Sequence, residues 1–106
     1  VSVQAFINDK SKLVTNYVNG YWASQITYEE LQRFLWDILE EWSEVDSKQF
    51  EAYTHQERIF WHIFQLLQQS EKEILLSEPI YSEVECLLGY LNKQGLCPID
   101  VVGMRP

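Results

Sequence analysis

Thr27 and Glu30 open the segment that most constrains this chain. In a Thr-x-x-Glu motif ahead of an apolar run, the threonine hydroxyl accepts a backbone N–H. The glutamate carboxylate reaches back to accept the threonine's own N–H. Such a cap contributes about 1 kcal/mol and fixes a helix start to within a residue or two. Ile26 and Leu31 occupy the two positions of a hydrophobic staple. Behind the cap, Tyr28, Leu31, Leu35, Ile38, Trp42 and Val45 recur at spacings of 3, 4, 3, 4 and 3. That is the seam of a helix packed into a bundle, expected over 28–45.

The rest of the chain repeats the theme. Thr54 and Glu57 form a second Thr-x-x-Glu, followed by a wide apolar arc of Ile59, Phe60, Ile63, Phe64, Leu66 and Leu67. An arc that wide suits a central helix over 55–75, weakening through Gln68 to Glu73. Pro79 fits the first turn of a further helix over 79–94, where its missing N–H costs nothing; Gly95 is its expected C-terminal cap, with Leu96 as the hydrophobic contact. Ahead of both, Val3, Phe6, Ile7, Leu13, Val14, Tyr17 and Val18 share one face of a helix over 3–19 that stops at Gly20. Lys10 projects into that face, so either its stem snorkels to water or the helix starts near Asn8. Strand signals are absent, and Pro98 and Gly103 break the tail over 96–106 into an extended strap.

The expected fold is therefore all-α: a small single-domain helical bundle of about four helices spanning 1–106, with a C-terminal strap. Composition agrees. Of 106 residues, 46 % are hydrophobic and 14 % aromatic, too many for a solvated coil and enough for one core. Residues 1–14 carry charges and Asn where a secretory leader is apolar, and no run approaches a membrane span. Cys86 and Cys97 are too few for a disulfide framework, although a bridge between them is open. A cytoplasmic protein is expected.

The net charge of -8 is unevenly placed. Residues 27–46 hold seven acids against Arg33 alone, a net of -6, and the remainder is nearly balanced. This argues against nucleic acid, whose phosphates need clustered Lys and Arg. Asp37 with Glu41, and Glu40 with Glu44, are like-charge pairs at i,i+4, each destabilising an isolated helix by roughly 0.2–0.5 kcal/mol. The acids at 40–46 also oppose the helix dipole. Such a cost is either a plain solvated face or a surface for a basic partner. Trp36 sharpens the question: it lies roughly 130° from the seam, beside Gln32, Glu40 and Ser43. It is either covered by its own chain or exposed as an anchor. Trp61, at the edge of its arc, poses the same question, while Tyr21 and Trp22 read as a core plug in the first connection.

Catalytic motifs are missing. His55 and His62 lie about 10.5 Å apart along one helix side, too far to share a metal. With Arg58, Gln65 and Gln69 they form a polar stripe that faces the acidic helix, a neighbouring chain or solvent. No Glu-x-x-His pair, Gly-rich phosphate loop or Cys-x-x-Cys is present, so no enzyme activity, metal or cofactor is expected. The expected function is a non-enzymatic interaction protein of inhibitor, immunity or regulatory type. It would bind a basic protein through Trp36, Asp37, Glu40, Glu41 and Glu44, with His55, Arg58 and His62 as a secondary stripe. The alternative is a structural homodimer that consumes its surplus aromatics in a self-interface; a small ligand-binding or catalytic bundle comes third.

Overall fold

The computed structural model describes residues 2–46, 50–92, 101 and 103–106. These are all-α: helices α1 (Val3–Trp22), α2 (Tyr28–Ser43), α3 (His55–Gln69), α4 (Lys72–Leu75) and α5 (Ile80–Leu91), with no strand among the described residues. They divide into two compact units, Val1–Tyr53 with Pro106, and Thr54–Arg105.

In the first unit, α1 and α2 run antiparallel, because aromatic pairs join opposite ends in reverse order. Phe6 meets Trp42 at 5.3 Å between ring centroids, Tyr17 stacks on Phe34 at 3.8 Å, and Tyr21 meets Tyr28 edge-on at 6.2 Å. Leu31, Leu35, Ile38, Trp42 and Val45 of the expected seam are buried, joined by Phe34. The Thr27 box is formed in both directions: the hydroxyl accepts from Glu30 N–H at 3.1 Å, and the carboxylate accepts from Thr27 N–H at 3.4 Å. At the start of α1, the Ser2 hydroxyl accepts from Ala5 N–H, and Glu51 accepts from Val3 N–H at 2.9 Å.

One expectation for α1 is corrected, and one alternative is decided. The helix does not stop at Gly20 but continues to Trp22, which places Tyr21 and Trp22 in its last turn rather than in the connection. Termination is done by Ser24, at φ 61°, with Ser24 N–H bonded to the Tyr21 carbonyl and Gln25 N–H to the Gly20 carbonyl. This is a Schellman closure with serine in the place glycine favours. Nor does α1 start near Asn8. It begins at Val3, and Lys10 lies on its packed face with only a tenth of its side chain exposed. Leu13 is at the exposed margin, and Ser11 is buried instead, its hydroxyl donating to the Ile7 carbonyl at 2.6 Å.

In the second unit, α3 and α5 are antiparallel. Gln56 at the start of α3 donates to the Leu91 carbonyl at the end of α5, and His62 faces Glu83. Ile59, Phe60, Ile63, Phe64 and Leu67 are buried, as are Leu75, Val84, Leu87, Leu88 and Leu91. The expected helix over 55–75 is two helices. α3 ends at Gln69, where Ser70 turns extended, and a single turn of α4 follows. The break falls where the apolar arc weakens, so burial no longer offsets the cost of ordering the backbone there. Pro79 sits one place before the first helical residue of α5, and α5 ends at Leu91 rather than 94. The Gly95 cap, Leu96, Cys97, Pro98 and the start of the strap lie outside the described residues. The described end of the tail is non-helical and lies on α3: a Cβ on buried Gly103 would collide with the Arg58 carbonyl and the His62 amide.

Candidate functional site

Helix α2 sorts its residues as its sequence pattern dictates. Its seam is turned into the first unit, which leaves the opposite side, with most of its carboxylates, toward water. Trp36 is 62 % exposed: the described residues of its own unit leave it in water. Asp37, Glu40 and Glu44 are exposed beside it, and Glu44 caps the helix end. Trp36, Glu40 and Glu44 follow one another at i,i+4, a row rising about 12 Å along the axis. The last turn of α2 has no basic residue, so its free carbonyls add partial negative charge to the same end.

Glu41 is set apart from the others. Its carboxylate takes the Lys10 ammonium at 2.8 Å, while Asp9 stands 3.5 Å from the same nitrogen. The Lys10 ammonium also lies 5.7 Å from the Phe6 ring centroid. The sequence hint was a lysine on an apolar face; its acceptor became visible only once α1 and α2 paired antiparallel. Beside this ion pair opens a cavity of about 370 Å³ lined by Ala5, Phe6, Asp9, Lys10, Glu41, Glu44 and Val45.

The histidine stripe has a different setting. His62 is half-buried, its Nε2 at 3.3 Å from Glu83 Oε1 of α5, and the Gly103 backbone passes against the Arg58–His62 turn. His55 is half-buried and Arg58 exposed. His62 thus faces a carboxylate of its own unit. Trp61 is fully buried, which decides the question raised by its place at the edge of the apolar arc. Its Nε1–H donates to Glu57 Oε2 at 2.9 Å, and its ring meets Phe60 and Phe64 edge-on.

Glu57 holds the capping-box position behind Thr54, but its carboxylate turns inward. Thr54 does accept from Glu57 N–H at 3.1 Å. The carboxylate itself holds Trp61 and, on both oxygens, the guanidinium of Arg105. No local signal marks Glu57 apart from Glu30, since the two motifs match at the defining positions. Among the described residues, no three His, Cys, Asp or Glu side chains are grouped as metal ligands, and no helix is long and apolar enough to cross a membrane. Cys86 is half-buried on α5; its partner in a possible bridge, Cys97, is outside the described residues.

No family model matches this chain, and neither a curated protein nor a solved structure does.

Proposed function

We propose that this is a non-enzymatic binding protein whose α2 face, Trp36 with Asp37, Glu40 and Glu44, engages a basic protein surface as an inhibitor, immunity or regulatory factor does. The observation that carries this reading is a tryptophan left 62 % in water amid carboxylates. An exposed indole loses apolar hydration only when a partner covers it, and tryptophans are over-represented among the residues that dominate interface energy. Acids crowded at i,i+4 and at the carboxyl end of a helix weaken that helix. An electrostatic surface that speeds encounter with a cationic partner and rejects anionic ones is a use that accounts for them. The same charge favours a protein over a nucleic acid. The sparing use of cysteine suits a reducing, cytoplasmic setting.

The homodimer reading uses Trp36 as well but fits the charge less well. A two-fold contact on this face brings two copies of the same acid-rich helix together, and their like charges repel. The test is affinity capture from an extract of the cells that make the protein, using wild-type, Trp36→Ala and Glu40→Lys/Glu44→Lys baits. The expected result is a basic protein retained by wild type and lost from both variants. Retention equal on all three baits would put the binding surface elsewhere.

A further inference from the structure

We propose that the cavity between α1 and the carboxyl end of α2 is a socket for an arginine side chain of that basic partner, an inference that rests on the reading of α2 as a partner-binding face. The cavity measures about 370 Å³, ample for one long side chain, and its lining is divided by chemistry. Ala5, Phe6 and Val45 supply an apolar floor, with Phe6 and Val45 themselves buried. Around it stand three carboxylates, Asp9, Glu41 and Glu44, against one ammonium, Lys10.

The ion pair leaves the acceptors unequally occupied. Glu41 is taken by Lys10 at 2.8 Å, and Asp9 stands at the longer 3.5 Å with 69 % of its side chain exposed. Glu44 is exposed at the helix end, where the free carbonyls of α2 add to the negative potential. A cation entering here meets unspent acceptor capacity on two side chains and an apolar surface for its stem. Arginine fits better than lysine on two grounds. Its planar fork donates to two acceptors at once, and it is less strongly hydrated than an ammonium, so it loses less in a half-dry groove. Glu44 also ends the row that begins at Trp36 and Glu40, so the socket continues the proposed face rather than forming a separate one.

The test needs no natural partner. The capped tripeptides acetyl-Gly-Arg-Gly-amide, its lysine counterpart and its citrulline counterpart are titrated into the whole ¹⁵N-labelled protein and followed by amide chemical shifts. The expected result is saturable shifts at Ala5, Phe6, Asp9, Glu44 and Val45 with the arginine peptide, weaker with lysine and absent with the neutral citrulline. Glu44→Gln should weaken the arginine peptide about tenfold, the loss of one charge-assisted contact. Ala5→Leu, which fills the cavity without changing charge, should weaken it similarly. Equal shifts with arginine and lysine, shifts insensitive to Ala5→Leu, or no saturable shifts at the cavity would each overturn the socket. Saturable shifts centred on Trp36 and Glu40 instead would overturn it while leaving the binding face standing.

Discussion

Arg105 and Glu57, 48 positions apart, form a two-pronged ion pair: Nε to Oε2 at 2.6 Å and Nη2 to Oε1 at 2.8 Å. The carboxylate is 1 % exposed and also accepts from Trp61, so one buried acid ties the end of the chain to the aromatic centre of the second unit. Removing one partner of a buried pair strands the other charge without solvent. Arg105→Ala should therefore cost about 3 kcal/mol in urea denaturation. Gly103→Ala, which forces the segment off α3, should lose much of the same energy, and the two changes should combine less than additively. Full additivity would mean that the Gly103 approach and the Arg105 pair are independent.

Glu30 and Glu57 occupy the same place in two Thr-x-x-Glu motifs yet do different jobs. Glu30→Gln keeps a side-chain acceptor at the cap of α2 and should change stability by less than about 0.5 kcal/mol. Glu57→Gln leaves the Arg105 guanidinium, mostly buried, facing a neutral amide, and should cost at least about 2 kcal/mol. Thermal denaturation of the two variants side by side checks this, and equal losses would contradict it.

Ser24 closes α1 in a conformation that disfavours any side chain. Ser24→Gly should raise stability by roughly 0.5 kcal/mol, the relief at positive φ exceeding the added entropy of the unfolded chain. A loss of stability in the same denaturation assay would contradict the Schellman assignment.

The acids of α2 should separate by function. Glu41→Gln removes the main acceptor of a lysine that is only a tenth exposed, and should cost up to about 1 kcal/mol, discounted because Glu41 itself is 56 % exposed. Glu44→Gln relieves repulsion from Glu40 at the carboxyl end of the helix and should leave stability unchanged or slightly raised. Chemical denaturation at low salt resolves the two, and a loss for Glu44→Gln matching that for Glu41→Gln would contradict the assignment.

These contrasts mark what the sequence alone reveals. The start and seam of α2 were legible because a cap and a 3–4 repeat are local, needing only residues a turn apart. The exposure of Trp36 follows from its angle to that seam, and the described residues agree. Gly20 misled because its freedom at positive φ was a reason to stop the helix there, whereas Ser24 carries that conformation four residues later. Trp61, Glu57 and Lys10 were opaque for a different reason. Glu57 and Lys10 are each settled by a partner on another segment, Arg105 and Glu41, and Trp61 by the Glu57 carboxylate that Arg105 holds inward. No periodicity encodes contacts at such sequence separation.

The most direct test of the binding face is ¹⁹F NMR of the protein labelled with 5-fluorotryptophan, titrated with the protein that the wild-type bait captures. The chain has four tryptophans, and the resonance of Trp36 is identified by its absence in Trp36→Phe. The account predicts that the Trp36 resonance shifts saturably as the partner binds, while that of the buried Trp61 in the second unit holds still. A partner that binds with the Trp36 resonance unmoved would contradict it.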